Sequence, residues 1–316
     1  MIGILGAGAF GTGLACAWGR QGPVTLWGRD TAAMETAQRD RSTPRLPAAT
    51  LPDAVRATAD PADLAEAEIL ILALPMQRLD AALAEMGQFH PRHAVAACKG
   101  LELGSLRGPT AILRDRLPGA IPAILSGPSF AADIAAGLPT ALSLACADEA
   151  ACIALQTALS TPTLRLYRTP DVTGVELGGA LKNVVAIACG AAIGAGLGDS
   201  ARAALMTRGM AEMTRLAAAL GAAPQTLSGL SGLGDLALTC ASPQSRNFAL
   251  GLALGRGEPP PDATTEGAAT ARAALDLAAR HDVEMPIAAA VAALVAGEAS
   301  VKDAIDALLS RDLTTE

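Results

Sequence analysis

The chain opens MIGILGAGAFGTGLACAWGRQGPVTLW over residues 1–27, and the fold class turns on how this stretch is read. Met1 to Leu5 is an apolar run of strand length. Gly6-Ala7-Gly8-Ala9-Phe10-Gly11 follows, helical periodicity covers Phe10 to Arg20, and a second short apolar run occupies Val24 to Trp27. The spacing GxGxxG is weak evidence by itself in a chain with 32 glycines. A strand before it and a helix after it make it specific for a dinucleotide turn. In that setting Gly6 permits the tight turn, Gly8 lets backbone approach a pyrophosphate, and Gly11 lets the helix pack on the strand. The helix N-terminus then offers free N–H groups to the phosphate charge.

The end of the second strand bears on the cofactor. An NAD-specific site carries Asp or Glu there for the ribose diol. Here Gly28 stands at that place, followed by Arg29 and Asp30. Arg29 suits a 2′-phosphate, which points to NADP(H), with NAD(H) also accepted. Two other readings stay open: Asp30 serving as the acid one position late, and Arg29 as a plain loop charge.

Further out, Ala62 to Ala67 reads as helix, Glu68 to Leu74 as a buried strand stopped by Pro75, and Leu79 to Met86 as helix. Ala94 to Cys98 and Ala123 to Ser126 read as strands, with Ala141 to Cys146 and Leu164 to Tyr167 extending the set. Strands apolar on both faces, alternating with helices, predict a parallel sheet covered on both sides. After about Thr173 helical periodicity dominates. The candidate helices are Val172 to Ala192, Ser200 to Leu220, Pro243 to Leu254, Glu266 to Arg280, Ile287 to Ala296 and Val301 to Leu309. The expected class is α/β: an N-terminal doubly wound (Rossmann-type) sheet over residues 1–176 and a C-terminal all-helical domain over 177–316.

Composition narrows the function. The chain of 316 residues, 51% apolar and 17% charged, suits two domains with large cores. A net charge of -7 argues against broad nucleic-acid binding, which needs clustered Lys and Arg. Val184 to Gly198 is uncharged but too short and glycine-rich for a membrane span, and Met1 to Gly19 lacks the basic start of a secretory leader. A cytoplasmic protein without stable membrane insertion is expected. Cys16, Cys98, Cys146, Cys152, Cys189 and Cys240 form no CxxC pair and read as buried free thiols. His90 and His93 lack an evident third ligand and read as surface-loop residues, so no metal is expected.

Rare residue types point to the chemistry. Arg occurs 21 times, but Lys only at 99, 182 and 302, and Asn only at 183 and 247. In a chain this rich in Arg, a Lys marks a place where a compact, tunable ammonium is needed. Lys99 follows a strand and should point into the crevice beyond the strand ends, as should the Gly127-Pro128-Ser129-Phe130 turn. Lys182 lies inside an apolar helix, where burial is costly unless it is paired or functional. Gly178 and Gly179 would let another backbone or a ligand come close. Asp235, flanked by apolar residues, could hold and tune such a Lys. Ser242-Pro243 reads as an N-cap and first helical residue, placing Ser245, Arg246 and Asn247 at a helix start fit for an anion. Together these parts suggest hydride delivery to a ketone, with Lys as proton donor, a second cation opposing the alkoxide charge, and a phosphate held at the Arg–Asn site.

At this point the chain resembles the bacterial NAD(P)-dependent glycerol-3-phosphate dehydrogenases. The matching segments include GAGAFGTGLA (6–15), VTLWGRD (24–30), CKGLE (98–102), SGPSFAADIAAGLPTALSLA (126–145), GVELGGALKNVVAIACG (174–190), LSGLGDLALTC (230–240) and SRNFALGLALGRG (245–257), in family order along nearly the whole chain. The resemblance implies interconversion of dihydroxyacetone phosphate and sn-glycerol 3-phosphate, a small phosphorylated three-carbon substrate, a supply role in phospholipid synthesis, and a homodimer. Carried over by position, Lys182 resembles the catalytic proton acceptor of the oxidation direction. Lys99, Asp235, Ser245, Arg246 and Asn247 look like substrate contacts, joined by Gly127 and Ser129. Phe10, Arg29, Ala131 and Glu266 look like cofactor contacts, with Lys99 and Arg246 near both ligands. The chain departs from the family pattern at Ala9, where Ser is usual, at 41–47, which lacks the usual Asn and aromatic residue, and at 264–270, which lacks a following Asn-Thr. Two alternatives share the two-domain plan: a 2- or 3-hydroxyacid dehydrogenase, and a non-catalytic NAD(P)H sensor. The first often spaces its Lys one helical turn before an Asn, whereas here Lys182 and Asn183 are adjacent.

Overall fold

The computed structural model describes residues 1–86, 89–261 and 265–310. The chain forms two compact units: Met1–Lys99 with Arg107–Glu176, and Gly100–Leu106 with Leu177–Glu316.

In the first unit the elements run β1 (Ile2–Leu5), α1 (Ala9–Gly19), β2 (Val24–Trp27), α2 (Thr31–Asp40), β3 (Val55–Thr58), a 3-10 turn (Pro61–Leu64), β4 (Ile69–Leu72), α3 (Met76–Glu85), β5 (His93–Ala96), α4 (Pro109–Arg116), β6 (Ile121–Ser126), α5 (Ala131–Ala136), β7 (Thr140–Ala145), α6 (Glu149–Leu159) and β8 (Leu164–Thr169). The sheet order is β3-β2-β1-β4-β5-β6-β7-β8. Successive side chains leave opposite faces of a strand. Accordingly Ile4, Leu26, Ile71 and Val95 pack with Leu14 and Trp18 of α1 on one side. Leu5, Leu70, Leu72 and Ala96 pack with Leu79 of α3 and Ile112 of α4 on the other. Each such Leu or Ile, fully buried, contributes about 1.5–3 kcal/mol. The order reverses between β1 and β4, and the crevice at that switch point, beyond the strand carboxyl ends, is where such sheets hold ligands.

The sheet departs from the expected all-parallel form at one place: β7 runs antiparallel to β6. The helix expected over Ala62 to Ala67 is the short 3-10 turn instead, started by Asp60, whose side chain accepts from the Ala62 amide. Several elements escaped the periodicity. The edge strand β3 buries only Val55 and Ala57, and α2 buries only Met34 and Ala37. The altered segment 41–47 is tied down from two sides. Arg41, in the left-handed region at φ 54, donates to the carbonyls of Leu51, Pro52 and Val55, and Thr43 shares a buried hydroxyl contact with Thr12 at 3.2 Å.

The helical elements are α7 (Val172–Gly194), α8 (Gly198–Ala219), α9 (Pro224–Leu227), a π-turn (Leu230–Gly234), α10 (Asp235–Cys240), α11 (Arg246–Arg256), α12 (Glu266–Ala279), α13 (Pro286–Ala296) and α14 (Val301–Leu309). Helix α7 starts in the first unit and continues into the second. It has the length and apolarity to cross a membrane, yet 83% of that stretch is buried inside the protein. Its backbone touches that of α11. A Cβ on Gly190 would lie 2.1 Å from the Phe248 oxygen, and one on Gly251 2.0 Å from the Ile187 oxygen. Helix α11 begins three residues later than expected. Ser245, not Ser242, is its N-cap, accepting from the Phe248 amide at 3.2 Å, while Ser242 Oγ accepts from the Gln244 amide within the preceding turn.

All six cysteines are buried and free. His93 is not a loop residue. It opens β5 and is buried, and its Nε2 has no hydrogen-bond partner among the described residues. Burial, helped by Arg92, lowers its pKa against the smaller opposing pull of Asp148 and Glu68. The unfolded chain therefore takes up this proton more readily than the folded one. The stability contributed by neutral His93 is complete above the ordinary value of 6.5 and is lost as pH falls from there towards the lowered folded-state value. Urea unfolding at about pH 7.5 and about pH 5.5 tests this: the wild-type protein loses more stability on acidification than a His93→Phe variant. Equal losses would show that His93 is not the group responsible.

Candidate active site

The first unit supplies a cofactor-shaped turn. Gly6 sits at φ +124, donates its amide to the Trp27 oxygen at 2.9 Å, and leaves no room for a Cβ, which would lie 2.4 Å from the Ala73 oxygen. A Cβ on Gly11 would lie 2.0 Å from the Gly6 oxygen, so α1 packs hard against the turn. Gly8 faces the other way, with nothing within 4 Å of a Cβ placed on it. It is also the N-cap of α1, whose first amides receive no side-chain cap. An open glycine beside uncapped helix amides is what a pyrophosphate needs. Ala9 and Phe10 begin α1 and are half-buried, and a Cβ on Gly13 would lie 2.7 Å from the oxygen of Ala131, the first residue of α5.

At the end of β2, a Cβ on Gly28 would lie 2.8 Å from Met34 Sδ and 2.9 Å from Ala7 Cβ, so an acidic side chain does not fit there without displacing both. Asp30 is engaged as the N-cap of α2, accepting from the Ala33 amide at 3.0 Å. Arg29 is exposed and makes no hydrogen bond or ion pair among the described residues. Of the three residues, Arg29 is the one left to meet a ligand.

Beyond β5 and β6, two side chains converge on one carbonyl. Lys99 Nζ donates to the Gly127 oxygen at 3.2 Å, and Ser129 Oγ donates to the same oxygen at 3.3 Å. Gly127 sits at φ +147, which turns that carbonyl within reach of both.

The second unit buries an ion pair. Lys182 Nζ donates to Asp235 Oδ1 at 3.0 Å and to Thr239 Oγ1 at 2.7 Å, and Thr239 Oγ1 lies 3.2 Å from the same Asp235 oxygen. The two charged side chains are 8% and 1% exposed. The backbone explains the meeting. A Cβ on Gly178 would lie 2.7 Å from the Ser231 oxygen, so the π-turn rests on α7 one helical turn before Lys182. Asp235 follows Ser231 by the same four residues. Thr239 is one turn further along α10; its spacing from Asp235 was the available signal, and the sequence reading missed it. Beside this pair, a hydrogen bond from the Cys240 thiol to Cys189 and burial push the Cys240 thiol far above the ordinary thiol range. It is a packing group, not a nucleophile.

The candidate anion site of the second unit lies at two helix starts. Asn247 Oδ1 accepts from the Gly267 amide at 3.0 Å, joining the first turn of α11 to the first turn of α12. Glu266 is the first residue of α12. Ser245 and Asn247 are buried, and Arg246 is exposed without a partner among the described residues. Two positive helix ends and a guanidinium favour an anion such as phosphate. Asn183 does not join this group: its Nδ2 turns back to the Gly179 oxygen of its own helix at 3.5 Å. Of segment 264–270, residue 264 lies outside the described residues. Among the described residues no group of three or more His, Cys, Asp or Glu is placed to hold a metal ion.

A doubly wound sheet with an open pyrophosphate turn, joined in one chain to a helical unit that buries a Lys–Asp pair, defines the class of nicotinamide-dependent dehydrogenases. The family models for the NAD-dependent glycerol-3-phosphate dehydrogenase N-terminus and C-terminus match residues 1–152 and 171–306. The chain is 59% identical over 317 residues to glycerol-3-phosphate dehydrogenase [NAD(P)+] of Paracoccus denitrificans, covering 100% of this chain and 99% of the relative. It is 59% identical over 318 residues to the enzyme of the same name from Cereibacter sphaeroides, covering 100% of both. A crystal structure of glycerol-3-phosphate dehydrogenase from Coxiella burnetii superposes with a TM-score of 0.91 at 35% identity, over 98% of each chain. The chain belongs to the NAD-dependent glycerol-3-phosphate dehydrogenase family.

Removing one member of a buried ion pair strands the other. Asp235→Leu should cost about 3–5 kcal/mol in urea unfolding, and the double variant Lys182→Met/Asp235→Leu should recover most of it. A double variant as unstable as the single one would show that the loss comes from packing around residue 235.

Proposed function

We propose that the protein catalyses the reversible NAD(P)H-dependent reduction of dihydroxyacetone phosphate to sn-glycerol 3-phosphate, supplying glycerophospholipid synthesis. The observation that carries this reading is the Lys182–Asp235–Thr239 cluster, buried in a chain 59% identical over its whole length to an enzyme of that name. The six buried free thiols support a reducing, cytoplasmic setting. The homodimer follows from the family resemblance.

When bound, the reduced nicotinamide supplies the hydride that the substrate's ketone carbon accepts. Gly6, Gly8, Ala9, Phe10 and Gly11 hold the pyrophosphate on the first amides of α1, where the absence of a side-chain cap leaves those donors to the ligand. Arg29 pairs with a 2′-phosphate, and Gly28 excludes the carboxylate that would select the bare ribose. Ala131 and Glu266 complete the cofactor contacts. Arg246, the Asn247 amide group and the converging starts of α11 and α12 take the substrate phosphate, with Ser245 fixing the α11 cap. Gly127 and Ser129 line the substrate side of the strand-end turn, and the Lys99 ammonium opposes the developing charge.

Lys182 gives its proton to the carbonyl oxygen as that oxygen becomes an alkoxide, and takes it back in the oxidation direction. Asp235 Oδ1 orients the ammonium and compensates its burial, and Thr239 Oγ1 accepts from it.

Loss of absorbance of NADPH or NADH on adding dihydroxyacetone phosphate tests the reaction, and no turnover with either cofactor would overturn it. Lys182→Ala should lower kcat by about 10² or more; near-normal turnover would remove that residue from the proton transfer. Arg246→Ala should chiefly raise KM for dihydroxyacetone phosphate. If the wild-type protein used unphosphorylated dihydroxyacetone equally well, the phosphate assignment would be wrong.

A further inference from the structure

Glu176 uses its carboxylate on a helix to which it does not belong. Helix α4 begins at Pro109 with Gly108 as N-cap, and no side chain of its own caps it. Its Thr110 amide and Thr110 hydroxyl both donate to Glu176 Oε1, each at 2.8 Å. A Cβ on Gly108 would lie 2.2 Å from Glu176 Oε2, so a glycine at that position keeps open the space the carboxylate occupies. Burial raises the Glu176 pKa, and the Thr110 hydrogen bonds and Arg114 only partly reverse this. Such a group is held more by its bonds from Thr110 than by attraction to Arg114.

The chain on either side of this clamp leads to the two lysines of the site. Lys99 is the last residue before the segment Gly100–Leu106, which belongs to the second unit; the chain returns to the first at Arg107, two residues before the start of α4. Glu176 is the last residue of the first unit on α7, and Lys182 lies six residues further along that same helix. Both crossings of the chain are therefore tied to one hydrogen-bonded point inside the first unit.

We propose that Glu176 is a positioning residue for the reaction inferred above, fixing the early part of the helix that carries Lys182 to the first turn of α4. Its carboxylate is taken up by the Thr110 amide and hydroxyl. It acts through Thr110, and its removal leaves a helix-start amide and a hydroxyl without their acceptor. Loosening a proton donor by a fraction of its contact distance slows the chemical step while leaving ground-state binding of each ligand nearly intact. The inference rests on the dehydrogenase reading of the site.

The test compares Glu176→Ala, Glu176→Gln and Thr110→Val in the full-length protein, with rates expressed per NADPH-binding site so that unfolded molecules do not count. Glu176→Ala should lower kcat about tenfold or more, with KM for dihydroxyacetone phosphate and NADPH affinity changed by less than about threefold. Glu176→Gln keeps an oxygen acceptor for Thr110 and should restore kcat to within about threefold of wild type. Thr110→Val, which keeps the amide bond and loses the hydroxyl bond, should fall between. The idea is overturned by a folded Glu176→Ala protein with wild-type kcat, by a loss that Gln does not relieve, or by a loss seen equally in ligand affinity. Should Glu176→Ala not fold, Thr110→Val decides, and an unchanged kcat there sinks the proposal. Absence of turnover in the wild-type protein would instead refute the functional reading on which it stands.

Discussion

An ammonium and a carboxylate lie inside a helical core made largely of alanine and leucine, and much of the second unit is arranged to allow it. Lys182 and Asp235 are each too costly to bury alone. They meet because Gly178 lets the π-turn before α10 settle on α7, and because Thr239 gives the ammonium a second oxygen. The same economy of side-chain volume runs down α7, where Gly190 meets α11 backbone to backbone and Gly251 returns the contact. Small residues at these crossings bring polar groups within hydrogen-bonding distance across helices that larger side chains would hold apart.

The first unit solves a different problem with similar means. A sheet covered on both faces must present its ligand site at an edge of the layers, and the reversal of strand order between β1 and β4 supplies that edge. Gly6 and Gly11 close the turn so tightly that no Cβ is tolerated at either, while Gly8 is left open. Lys99 and Ser129, from neighbouring strand ends, share the Gly127 carbonyl. Lys99, Ser129 and Lys182 are thus held by backbone or side-chain oxygens, which keeps them in place without long flexible contacts.

Much of this was legible along the chain. The run Ile69–Leu72 is apolar at every position because both faces of β4 are covered, and that pattern survives in any sequence reading. Short edge elements were not legible: β3 has two inward residues, too few for a period. The start of α11 was misplaced for a specific reason. Ser242-Pro243 has the form of a cap and first helical residue, but Ser242 closes a turn on Gln244 and the helix waits for Ser245. His93 carried no sequence mark of burial, since a single histidine between charged and apolar neighbours fits a loop or a strand start equally well.

By itself the sequence determined the properties that depend on near neighbours in the chain. These are the strand–glycine–helix turn at residues 1–20, the apolar strands, the long helices, and the rarity of Lys and Asn that singled out Lys99, Lys182 and Asn247. Periods of two and of 3.6 residues are local, and so are turn geometries. Only the tertiary structure decided which groups meet: Lys182 with Asp235 across 53 residues, Thr110 with Glu176 across 66, and Asn247 with the Gly267 amide across 20. The physical reason is that a hydrogen bond requires its partners within about 3 Å. That distance is set by how closely whole helices pack, and no window of sequence contains both sides of the contact.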